Sequence, residues 1–106
     1  MANTHLFYDV FSERFFESTL TDVMSAEYKL NREIDLYGAY LNQFYEFLGL
    51  DPIPIGQEYG WSAPILETMY WDDRVDFRHD LAVTKDGREY YRIFMMQEPV
   101  IDFAYY

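Results

Sequence analysis

The chain has no cysteine, and from Glu33 to Asp73 it has no lysine or arginine either. The first absence excludes disulfides and thiolate metal sites and fits a reducing compartment. Histidine is nearly absent too, with only His5 and His79 and no close His spacing of the kind zinc sites use, so no metal and no cofactor is expected. The chain lacks a glycine-rich phosphate loop and a nucleophile elbow around any serine, so it does not read as an enzyme. No apolar run approaches the roughly 20 residues that a membrane-spanning helix needs. The start, Met1-Ala2-Asn3-Thr4-His5, lacks the basic stretch and apolar core of a signal peptide. A soluble protein that touches no membrane is expected.

What the chain does contain is acid and aromatic surface. Of 106 residues, 50% are apolar and 21% aromatic, and the formal net charge is −11. That much apolar and ring content is foreign to a disordered acidic tail, so the charge belongs to the surface of one folded domain spanning residues 1–106. The same charge repels nucleic acid, which argues against direct DNA or RNA binding and for a basic protein surface as partner. The cation-free stretch concentrates this character. Its acids are Glu33, Asp35, Glu46, Asp51, Glu58, Glu67, Asp72 and Asp73, interleaved with Tyr37, Tyr40, Phe44, Tyr45, Phe47, Tyr59, Trp61, Tyr70 and Trp71.

Ser12-Glu13-Arg14-Phe15 has the form of a helix start, with Ser12 as N-cap. Phe16, Leu20, Val23, Leu30, Ile34 and Tyr37 then recur at helical spacings, predicting a helix from Ser12 or Thr19 to Tyr37. Leu6 to Phe11 either joins that helix or forms a short leading strand. A second helix is predicted over Tyr40 to Leu48, burying Leu41, Phe44, Tyr45 and Leu48 and ended by Gly49. Two prolines make residues 49–58 a loop packed on the domain. Gly60 and Pro64 give residues 59–73 an irregular or short-strand reading.

The alternation of Val75, Phe77, His79, Leu81 and Val83 with Arg74, Asp76, Arg78, Asp80 and Ala82 predicts a strand. Lys85-Asp86-Gly87 then turns it into a return strand over Tyr90 to Met96, giving a hairpin over 74–96. A three-residue loop sets Leu81 opposite Tyr91, His79 opposite Ile93 and Phe77 opposite Met95, with Asp80 facing Arg92 on the outer side. Residues 97–106 form a tail, whose end Phe103-Ala104-Tyr105-Tyr106 is a sticky end or a final edge strand. The predicted fold class is α+β, with two N-terminal helices packed on a small antiparallel sheet and a C-terminal β-hairpin.

Tyr37, Phe44, Phe47 and Phe77 fall at inward positions, and His79 reads as a core histidine. Asp72, Asp73 and Asp76 read as a solvated polar face. The residues expected to meet a partner are Glu46, Asp51, Glu58, Tyr59, Trp61, Glu67, Tyr70, Trp71, Asp72 and Asp73. Their acids supply attraction and their rings, in segments hard to bury, supply contact area.

Val23-Met24-Ser25-Ala26-Glu27-Tyr28-Lys29-Leu30-Asn31-Arg32 and Leu41-Asn42-Gln43-Phe44-Tyr45-Glu46-Phe47-Leu48-Gly49-Leu50 resemble a family of tailed-phage and prophage proteins of unknown function. Gly60-Trp61-Ser62, Val75-Asp76-Phe77-Arg78-His79 and the Asp86-Gly87 turn follow in the same order. The resemblance implies a phage origin and action in the host cytoplasm. Relatives of this kind carry an apolar, basic N-terminal extension where this chain has Thr4 to Phe11. By analogy with small acidic phage proteins that block host defence, the expected function is anti-CRISPR: occupying the basic nucleic-acid channel of a Cas effector. The alternative is a phage structural or accessory interaction module.

Overall fold

A computed structural model describes residues 3–103. Strands stand at both ends of the chain and the helices in its middle. The order is β1 (His5–Asp9), β2 (Arg14–Ser18), α1 (Leu20–Leu36), β3 (Ala39–Tyr40), α2 (Leu41–Leu48), a 3-10 turn (Pro54–Gln57), β4 (Tyr59–Trp61), α3 (Ala63–Tyr70), β5 (Phe77–Val83), β6 (Glu89–Met95) and β7 (Val100–Ile101). The expected arrangement of two N-terminal helices on one antiparallel sheet is therefore corrected. The strands form two sheets, β2-β1-β6-β5 and β3-β4-β7, and the larger is mixed because β1 runs parallel to β6.

The first correction lies at Ser12, which caps a strand turn instead of a helix. Asp9 is fully buried, and its Oδ2 accepts hydrogen bonds from the Ser12 amide (3.0 Å) and hydroxyl (2.5 Å). Glu13 takes a left-handed φ of 57°, which reverses the chain into β2. Phe16 then lies opposite Phe7 and stacks on it, while Phe15 points to the other face and packs against Tyr8 and Tyr90. A Phe-Phe pair with both faces apolar suits a strand as well as a helix. The helix begins at Leu20, where the Thr19 side chain accepts from the Asp22 amide.

Helix α1 buries Val23, Ala26, Leu30 and Ile34. Val23 meets Phe7 and Ile93 on the large sheet, and the other three join Phe44, Tyr45 and Trp61 in the main core. Tyr37, expected inside, lies past the helix end and is exposed. Helix α2 follows the predicted stripe, burying Leu41, Phe44 and Tyr45.

Residues 59–73 hold the second correction, a β-strand and a third helix. Pro64 occupies the first turn of α3, where its missing N–H costs no hydrogen bond, and the Ser62 hydroxyl accepts from the Ile65 amide. The proline that argued against a helix starts one. Gly60 is a requirement of the small sheet, since a Cβ there would lie 2.1 Å from the Ala39 carbonyl oxygen.

The β5–β6 hairpin has the predicted register, with Phe77, His79 and Leu81 opposite Met95, Ile93 and Tyr91, and Asp80 opposite Arg92. After it, β7 pairs with β4 and Phe103 is buried. The rest of the expected sticky tail, residues 104–106, lies outside the described residues.

Candidate functional site

Ten residues were expected to form one acidic, aromatic surface, and the fold distributes them over three places. Trp61 leaves the surface altogether. Its ring is fully buried in the main core, and its Nε1–H donates to the Gln97 carbonyl at 2.8 Å, so both the apolar body and the polar tip are satisfied inside. Glu46, Asp51, Glu58 and Tyr59 belong to α2, the loop that follows it and the start of β4. Of these the two glutamates and Asp51 are exposed, and Tyr59 is half-buried against β7. Glu67, Tyr70, Trp71, Asp72 and Asp73 run along the end of α3 and into the turn that follows, all exposed.

The third group is the one that forms a site. Trp71 closes α3 in a left-handed conformation, φ 64°, with its amide donating to the Glu67 carbonyl at 3.0 Å. A bulky side chain at positive φ carries a local cost, and here the ring is 94% exposed and recovers none of it by packing. Beyond it the chain turns back onto α1. There Asn31 clamps the backbone at two points, its Oδ1 accepting from the Val75 amide (2.8 Å) and its Nδ2 donating to the Val75 carbonyl (2.9 Å). Gln97 holds the next residue, accepting from the Asp76 amide at 2.6 Å and donating to its carboxylate at 3.2 Å.

These clamps open a groove of about 510 Å³ between α1 and the turn, lined by Tyr28, Asn31, Arg32, Asp35, Asp72, Asp73 and Arg74. Three carboxylates face two guanidiniums, and none of the five forms an ion pair among the described residues. The groove is polar, charged and uncommitted. The exposed Tyr28 lines it, and the exposed Trp71 stands one residue before Asp72 in the chain.

Tyr28, Arg32 and Arg74 were not expected at a site, nor were the two clamps, and Asp35 stands among the acids of the cation-free stretch but not among the expected partner residues. Tyr28, Arg32 and Asp35 are spaced by three or four along α1, which marks one helix face, but nothing local shows that the turn after α3 closes on it.

Several other titratable residues are engaged within the fold. His79 Nε2 lies 2.5 Å from Glu27 Oε2, and this hydrogen bond, joined by the carboxylate charge, raises the histidine pKa above its usual 6.5 against the opposing effect of burial. Asp80 pairs with Arg78 at 3.2 Å and reaches Arg92 at 4.0 Å. Burial, reinforced by Asp9, pushes the Tyr45 phenol far above its usual range. No three or more histidines and acids converge as metal ligands would among the described residues. No helix among them is long and apolar enough to cross a membrane.

The chain belongs to a family of unknown function (DUF6353), whose model matches residues 1–104. No curated protein and no solved structure matches it.

Proposed function

We propose that the protein acts by binding and not by catalysis, and that the α1–α3 end engages a basic protein surface. The observation that carries this reading is Trp71, a tryptophan held at positive φ, almost wholly in water, directly before two unpaired aspartates. Tryptophan is a preferred interface anchor because it brings a large rigid area at small entropic cost. Asp72, Asp73 and the overall charge of −11 would draw a basic partner in from a distance. Asn31 and Gln97 fix the turn beforehand, which lowers the ordering cost of binding.

The most specific form of the proposal is an inhibitor of host defence in the host cytoplasm, filling the basic channel in which a Cas effector holds nucleic acid. Charge supports this form, since such channels are lined by cations and this surface offers carboxylates at a prearranged turn. The phage resemblance of the α1 and α2 segments supports the setting.

Pulldown from host lysate, followed by DNA competition on any effector recovered, is the test. Displacement of DNA by the wild type, with Trp71→Ala weakening binding roughly 30-fold, is the expected result. Capture of phage structural proteins alone, or an effector that loads and cuts DNA normally while bound, would favour a structural or accessory module instead.

A further inference from the structure

A second recess lies on the other acidic segment, between α2 and the loop that follows it, with a volume of about 630 Å³. That is the size of a pocket that takes a few side chains. Its surface is more apolar than polar, with Tyr40, Leu50 and Pro52 among the lining residues and Glu46 as the one charged residue among them. Every residue lining it falls within the stretch that has no lysine or arginine. Arg14, which reaches the loop from β2, is engaged by the Asp51 carbonyl at 2.7 Å and the Ser12 hydroxyl at 3.0 Å.

The recess is built. Asn42 holds the loop at two points, accepting from the Ile53 amide at 2.9 Å and donating to the Ile53 carbonyl at 3.0 Å. Gly56 presses against the same amide so closely that a Cβ would lie 2.0 Å from Asn42 Oδ1. Ile53 packs against the main core and fixes the inner end of the loop. Gln43 is turned back to accept from the Tyr40 amide at 2.7 Å, which sets the start of α2. A groove whose walls are fixed before binding loses little entropy on filling.

From this geometry we infer that the recess receives an extended peptide segment of a partner, an apolar side chain entering between Tyr40, Leu50 and Pro52 with a lysine or arginine beside it on Glu46. The apolar lining selects the entering side chain, and Glu46, the one charged residue of the lining, selects the sign of its neighbour. Gln57, exposed at the edge, offers an amide to the peptide backbone. The site is separate from the α1–α3 groove and does not depend on what Trp71 meets.

The test is an NMR titration of the labelled protein with three five-residue peptides, Gly-Lys-Leu-Lys-Gly, Gly-Lys-Ser-Lys-Gly and Gly-Glu-Leu-Glu-Gly. The first should shift the amides of Asn42, Gln43 and Gln57 saturably, the serine peptide should bind about tenfold more weakly, and the acidic peptide should not saturate. Glu46→Arg, an exposed change that leaves the walls intact, should weaken the lysine peptide roughly fivefold, and Trp71→Ala should leave its affinity unchanged. Because the discriminating changes are also made in the peptide, a misfolded variant cannot mimic the result. Absence of saturable shifts, equal binding of the acidic peptide, or indifference to Glu46→Arg would overturn the inference. Concentration-dependent shifts of the same amides without peptide would also overturn it, by assigning the recess to a second copy of the chain.

Discussion

Trp61 and Trp71 sit at the two ends of α3, in the same cation-free stretch, and the fold treats them oppositely. Trp61 is fully buried and Trp71 is 94% exposed. Around Trp61 everything converges: β3 and β7 pair on either side of β4, Leu66 and Ile34 pack beside it, and Gln97 takes its N–H. Around Trp71 the ring itself holds nothing, and the residues that follow do the holding, through Asn31 and Gln97 and through the Val75 side chain buried in the main core. One region uses its ring to hold the domain together and the other uses the domain to hold a ring out. Stability should therefore depend on the first and binding on the second.

The largest effect that could break this comparison is Trp61→Ala. Removing a fully buried ring leaves a cavity and orphans the Gln97 carbonyl, and a loss of about 3–5 kcal/mol in urea denaturation is expected. A loss below about 1 kcal/mol would mean that the small sheet does not depend on its tryptophan.

Asn31→Ala comes next. It removes both hydrogen bonds to Val75, whose amide and carbonyl lie next to a buried side chain, and should cost about 1–3 kcal/mol. It also frees the turn after α3, so it should weaken partner binding by more than the fall in stability explains.

Little of this contrast can be read from the chain. Both tryptophans are surrounded by acids, glycine or rings, and the partner that decides the fate of Trp61 is Gln97, which lies beyond the whole hairpin. The small sheet is assembled from strands of two or three residues drawn from distant segments, too short for any periodicity. By contrast β5 and β6 are joined by a turn of recognisable chemistry, and Phe77, His79, Leu81 and Val83 occupy every second position of β5, so the register followed from the sequence, although Leu81 and Val83 at the far end of that face are exposed. The N-terminal hairpin stayed hidden because its turn is built on the buried Asp9 carboxylate and a left-handed glutamate instead of glycine, and because β1 finds β6 at long range. Of the expected partner residues, the five at the end of α3 and in the turn after it and the three exposed acids of the α2 side lie where a partner can reach them, Tyr59 is half-buried and Trp61 is out of reach.

A smaller effect should move both tryptophan regions together. Helix α1 carries Leu30 and Ile34 into the Trp61 core and Tyr28 and Asn31 to the groove, and the Glu27–His79 contact ties it to the sheet. The folded histidine has its pKa raised above 6.5, so the contact stabilises fully below about pH 6.5 and fades as pH rises through the raised folded value. Urea midpoints measured from pH 5.5 to 8.5 should show the wild type losing its advantage over Glu27→Gln as pH climbs. A difference that stays flat across that window would show that the histidine does not hold the helix.

The smallest expected effect is the sharpest for the comparison. Trp71→Gly removes a side chain that packs on nothing and places the residue best suited to φ 64° at the end of α3. Relief of the left-handed strain favours the variant, and the added freedom of glycine in the unfolded chain opposes it, so stability should rise by about 0–1 kcal/mol. Binding should move the other way and by more, since the contact area of the ring is lost while the turn and its aspartates remain. A gain in stability with a loss of affinity would be the signature of a residue kept in strain for an external contact. Should Trp71→Gly instead destabilise the fold by more than about 1 kcal/mol, the ring must pack on the domain in solution, and the division between the two regions would fall.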